Sequence, residues 1–116
     1  MSSVPEHPIN SCYIMYLFAF MEIVLDAVCT ALADPVRRRV VELLSEGPRR
    51  AGELAEAIGV APPVMSRHLR LLLESDVVDD ERSPADARVR LFYLKRESLA
   101  ALRGWLDRVD AGPGSV

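Results

Sequence analysis

From Met21 onward the apolar residues recur at helical spacing: Met21, Leu25, Val28 and Leu32 stand at i, i+4, i+7 and i+11. Asp34-Pro35 stops that helix near Ala33 and restarts the next, because Asp34 can cap it and Pro35 forfeits no hydrogen bond in a first turn. Val36, Val40, Leu43 and Leu44 mark one buried stripe, and Arg38 and Glu42 are spaced to pair on the opposite side. Gly47-Pro48 ends this second helix. The stretch AGELAEAI, residues 51–58, predicts a short third helix buried through Leu54, Ala55 and Ile58 and closed by a left-handed Gly59. A fourth helix starts at Pro62-Pro63 and runs to about Ser75, with Met65, Leu69 and Leu72 inward.

Beyond Ser75 the period changes. Val77-Val78 and Arg88 to Leu94 (RVRLFYL) are rich in β-branched and aromatic residues and predict two strands, with ERSPADA as the hairpin loop between them. Lys95 to Val109 returns to helical spacing, placing Leu99, Leu102, Leu106 and Val109 on one face with Trp105 beside it. The expected fold is mainly α with a small β-hairpin, in the order α-α-α-α-β-β-α. Residues 21–110 form one domain, 1–20 an N-terminal extension and 111–116 a flexible tail.

The extension contains an unbroken apolar run, Tyr13 to Met21, which Glu22 and then Asp26 interrupt. Those nine residues are about half of what a membrane helix needs. No Lys or Arg precedes Arg37, so the positive flank of a secretory signal is missing. These features predict a soluble, cytoplasmic protein with no membrane partner. Two readings of residues 1–20 stay open: a start assigned upstream of the true one at Met15 or Met21, or an arm that packs against a partner subunit.

At 116 residues, half of them apolar, the chain can bury one core; it is too short for most two-domain enzymes and too hydrophobic for wholesale disorder. A net charge of −3 argues against coating nucleic acid through bulk charge, yet allows a local basic face. Cys12 and Cys29 stand far apart, which indicates neither a disulfide scaffold nor a thiolate zinc knot.

The third and fourth helices carry the candidate chemistry. A helix-turn-helix needs a small residue where its helices cross, a turn-permissive residue four positions later and an apolar anchor six beyond; here these are Ala55, Gly59 and Met65. The outward positions of the fourth helix, Pro62, Pro63, Ser66, Arg67 and Arg70, include no acid. Arginine suits guanine O6 and N7, and serine reaches base or phosphate. An ordinary solvated helix face would explain isolated arginines, but the missing carboxylates and the two stiffening prolines favour DNA. Arg82, Arg88 and Arg90 lie in or beside the hairpin, where a wing can lay them on the backbone or in the minor groove. Asp79, Asp80, Glu81 and Asp86 crowd the same segment and either pair with them or repel phosphate.

Taken together, LADPVRRRVVELL, GELAEAIGV, SRHLRLL and the Arg-rich hairpin resemble the ArsR family of bacterial winged helix-turn-helix repressors, over residues 25–109. The resemblance implies a homodimer joined through the first and last helices and bound to double-stranded DNA at an operator of approximate two-fold symmetry. Leu25, Val28, Leu32, Leu99, Leu102, Trp105 and Leu106 are then dimer-seam candidates, ordinary intramolecular core being the other reading for each. Ser66, Arg67 and Arg70, with Pro63, would read sequence, and Arg37, Arg49, Arg50, Arg82, Arg88 and Arg90 would neutralise phosphates. His68 falls on the histidine of the family's SxHL motif, with a DNA-side or half-buried structural role. The chain departs from the family at Ala61, which lacks the usual capping hydroxyl, at Asp76 in place of a helix-ending glycine, and at Ala87 in place of a wing glycine.

Many such relatives sense metals through a Cys-x-Cys pair in the third helix or histidines in the last. The corresponding stretches here are GELAE and a helix offering only Asp107 and Asp110. His7, Cys12, Cys29 and His68 are the only Cys or His residues, so no metal and no cofactor are expected. A site joining His7, Cys12 and Cys29 across a dimer is conceivable, Cys29 as a thiol-responsive switch is an alternative, and Met15 and Met21 read as apolar filler. No nucleophile–base pair or phosphate loop points to an enzyme. The competing function is a winged-helix module that binds protein instead of DNA. Nothing in the sequence names an effector.

Overall fold

The computed structural model of the protein describes residues 8–113. Five helices, α1 (Pro8–Ala31), α2 (Pro35–Leu44), α3 (Ala51–Ile58), α4 (Pro62–Glu74) and α5 (Ala100–Asp110), accompany one antiparallel hairpin of β1 (Val78–Arg82) and β2 (Arg90–Leu94). A 3-10 turn over Arg96–Leu99 leads into α5. This is the mainly helical, winged architecture that the periodicity implied.

The local starts and stops follow from single residues. Asp34 Oδ1 accepts the Val36 amide at 2.7 Å and the Arg37 amide at 3.3 Å, so it caps α2 with Pro35 in the first turn. Gly59 ends α3 in the left-handed region at φ 86°. Ala61 precedes α4 with no side-chain cap, and Pro62-Pro63 soften that loss because a proline at the helix start presents no orphan amide. Val28, Val40, Leu54, Met65, Leu72, Val77 and Val78 form the centre of the core, and Phe92 joins them from the hairpin.

Four local expectations need correction. Arg38 does not pair with Glu42: its Nη1 donates to Leu32 O at 2.7 Å, closing the C-terminal end of α1, and Arg39 pairs with Glu42 instead at 3.3 Å. The first strand continues past Val78 through Asp79, Asp80 and Glu81, in register from Val78↔Leu94 to Arg82↔Arg90. Acids are tolerated there because a two-stranded ribbon leaves one face to solvent. Its partner begins at Arg90, not Arg88, since Ser83 N–H donates to Val89 O at 2.9 Å and closes the loop. The last helix is shorter than the periodicity suggests, its first turn being the 3-10 segment.

The first helix differs most. It spans 24 residues and crosses the 20/21 position without a break. An apolar run has no period by which its start can be read, so only the half from Met21 looked helical. Residues 1–7, and 114–116 of the tail, lie outside the described residues.

Candidate nucleic-acid interface

Helices α3 and α4 meet through a tight turn in which Gly59 and Val60 both donate to Ala55 O, at 2.8 and 3.1 Å. Ala55 and Met65 are buried at the crossing. With Met65, Leu69 and Leu72 inward, Pro63, Ser66, Arg67 and Arg70 stand exposed on α4, and neither arginine has an ion-pair partner among the described residues. A cleft of about 390 Å³ separates this face from the hairpin, and Ser66, Arg70 and Arg90 supply its polar wall.

The hairpin holds two of its three arginines by its own acids. Arg90 pairs with Asp80, and its guanidinium lies 4.7 Å above the Phe92 ring. Arg88 makes a two-point contact with Asp86, Nε and Nη2 each at 3.1 Å. That side-chain bond, with the Arg88 amide, holds the Asp86 carboxyl below the ordinary aspartate value. Arg82 is exposed with no ion pair among the described residues.

The remaining basic candidates sit around α2 and α3. Arg49 pairs with Glu46 at 2.8 Å while its backbone exchanges two hydrogen bonds with Phe92, which fastens the loop before α3 to the wing. Arg50 is exposed, and its amide donates to Glu53 Oε1 at 2.8 Å. Arg37 differs from its sequence-based role as a free phosphate contact. Its guanidinium is engaged within the fold, bonding Ala31 O at 2.8 Å and Thr30 O at 3.1 Å and facing half-buried His68 at 3.4 Å. The motif LADPVRRR gave no sign of this, because the carbonyl acceptors belong to the backbone.

A helix-turn-helix domain model matches residues 32–81, which run from the end of α1 through α4 into the first strand. The chain is 45% identical over 83 residues to the HTH-type transcriptional regulator Rv2034 of Mycobacterium tuberculosis, covering 72% of this chain and 75% of that protein. It is also 33% identical to a crystal structure of an ArsR family transcriptional regulator, with a TM-score of 0.63 over 72% of this chain and 84% of the other. The chain belongs to the ArsR family. A further relative, the transcriptional repressor SdpR of Bacillus subtilis, is 36% identical over 58 residues, half of this chain and 64% of SdpR. The family is one of transcriptional regulators, not of enzymes.

In this ArsR-family chain the seam candidates divide by burial. Val28 is 1% exposed and belongs to the intramolecular core, so it is not available to a partner. Leu25, Leu32, Leu99 and Leu102 are half-buried, while Trp105 and Leu106 are 41% and 50% exposed. A shallow groove of about 280 Å³, lined by Leu32, Val41, Leu99, Leu102 and Leu106, runs beside them. The first half of α1 adds a large apolar surface, with Tyr13, Ile14, Met15, Tyr16, Phe18 and Phe20 all exposed.

By length and composition alone, Ser11–Ala31 would suffice to cross a membrane. The nine-residue count stopped at Glu22, whereas the helix does not. Packing argues against that use: Val28 and Ala31 are core residues of the ArsR domain, and a span would have to pull them out of it. Among the described residues no three His, Cys, Asp or Glu side chains are grouped to hold a metal, and His7 lies outside them. Cys12 and Cys29 are free and exposed, so burial does not protect the Cys29 thiol in the single chain.

Proposed function

We propose that this ArsR-family protein is a cytoplasmic homodimeric repressor that binds a pseudo-palindromic DNA operator. The observation that carries the reading is the exposed face of α4 from Pro62 to Arg70, which carries no acid before Glu74 in the last turn and sets Ser66 and Arg70 on the side of α4 that faces the wing, with Arg67 exposed beside them. Such a face lets Arg67 and Arg70 meet base edges in the major groove while the wing follows the backbone. Affinity comes from phosphate neutralisation by Arg49, Arg50, Arg82 and, once released from their carboxylates, Arg88 and Arg90. SdpR, named a transcriptional repressor, supports repression over activation.

Two-fold pairing through α1 and α5 would set the two recognition helices about 34 Å apart, one helical turn of DNA. Exposed Trp105 and Leu106 support that seam, and the apolar first half of α1 supports the reading of this segment as an arm on the partner subunit.

Fluorescence anisotropy across a salt series tests the reading, with the DNA upstream of the protein's own gene and a scrambled duplex as probes. Preferential binding to the upstream duplex with a steep negative salt slope is the expected result. Absence of binding to either duplex at low salt would favour a protein-interaction module.

A further inference from the structure

The Arg37 side chain is only 13% exposed, and every part of its guanidinium is engaged. Nε and Nη2 donate to the carbonyls of Ala31 and Thr30, the last of α1, at 2.8 and 3.1 Å. Nη1 lies 3.4 Å from Nδ1 of His68 on α4, and Asp34 stands 3.9 Å away. Arginine carries no acceptor, so in this pair Nδ1 of His68 is the accepting atom. A cation at the end of α1 also meets the negative pole of that helix. The buried stripe Met65, Leu69 and Leu72 sets which face of α4 turns inward, and the Arg37–His68 contact adds a directional polar tie between that helix and the end of α1.

We propose that Arg37 is a positioning residue that sets the orientation of α4 on DNA by tying His68 to the C-terminal end of α1. The inference rests on the reading of α4 as the DNA-reading helix. It gives Arg37 and His68 one joint task, in place of two separate DNA contacts, and makes α1 and α4 move as one body. Lysine cannot substitute, since a single ammonium lacks the planar fork that reaches two carbonyls and an imidazole together.

The test uses the full chain and a duplex that the wild-type protein enriches from a randomised library, with Arg37→Ala, Arg37→Lys, His68→Ala, His68→Gln and the double variant Arg37→Ala/His68→Ala. Both Arg37 variants should weaken binding about tenfold with an unchanged salt slope, His68→Gln should restore much of what His68→Ala loses, and the double variant should be no worse than the weaker single. A phosphate contact behaves differently: Arg37→Lys would keep affinity, and Arg37→Ala would lower the salt slope by about one. That pattern, or losses that add independently in the double variant, overturns the proposal. Should Arg37→Ala fail to fold, the His68 pair and Arg37→Lys carry the same comparison. Arg67→Ala on the same duplex is the control for the underlying reading: if it binds as wild type does, α4 is not the reading helix, whatever the Arg37 cycle shows.

Discussion

Lys95 Nζ lies 2.7 Å from Asp76 Oδ1, which fastens the segment entering the last helix to the turn between α4 and the wing. The Asp76 carboxylate raises the Lys95 pKa above the ordinary lysine value. The same turn forces Asp76 into the left-handed region at φ 62°, alone among the non-glycine residues described. A β-carbon there is disfavoured by roughly 1 kcal/mol. Asp76→Gly and Asp76→Ala both lose the ion pair, but only alanine keeps the β-carbon. Urea unfolding should therefore find Asp76→Gly more stable than Asp76→Ala by about 1 kcal/mol. Equal midpoints would show that the turn relaxes to another conformation.

At the start of α2, desolvation pushes the Asp34 carboxyl up, yet the hydrogen bonds from the Arg37 and Val36 amides outweigh it and leave the pKa below the ordinary aspartate value. A carboxylate held low stabilises the fold above its unfolded-chain value, and that contribution is lost as pH falls through the folded value. Asp34→Asn keeps an acceptor for the cap but cannot titrate. The difference in melting temperature between wild type and Asp34→Asn should be largest near neutrality and shrink below about pH 4. A gap that stays constant through that range would remove Asp34 from the acid response.

In the wing, Asp86 occupies the Arg88 guanidinium through both oxygens. Asp86→Asn deletes the competing charge and should tighten binding to operator and scrambled DNA alike, with a salt slope steeper by up to about one. A gain confined to one duplex would mean that Arg88 reads a base.

Trp105→Asp places a charge on the exposed face of α5, and Phe18→Asp does so on the arm. Sedimentation equilibrium should find at least a tenfold weaker dimer for Trp105→Asp, as expected for an aromatic anchor at a seam. The same loss in Phe18→Asp places the arm in the seam. Wild-type association in Phe18→Asp, together with binding to lipid vesicles by the unmutated chain, would assign the arm to a membrane surface instead.

Helices α2 to α4 were legible in the sequence because each joins a periodic stripe to a chemically distinct end: Asp34-Pro35, Gly59 and Pro62-Pro63. The helix-turn-helix followed from Ala55, Gly59 and Met65 for the same reason. The start of α1 was not legible, since an apolar run carries no phase. The acids of β1 hid a strand because β-propensity yields to pairing in a solvent-facing ribbon. The bonds from Arg37 to the end of α1 were not legible, because nothing in a run of three arginines tells which one meets backbone carbonyls. Val28 looked like a seam residue because a heptad-like stripe is the same whether its cover is intramolecular or a partner.

DNA binding through the exposed arginines of α4 is the proposal on which the wing, seam and Arg37 readings depend. The most direct measurement compares wild type with Arg67→Glu/Arg70→Glu by anisotropy on the upstream duplex across a salt series, with melting and sedimentation as controls. The wild type should bind with a steep salt dependence and the reversed chain should lose that binding, with stability and association unchanged. Equal binding by the two proteins, or none by either at low salt, would contradict it.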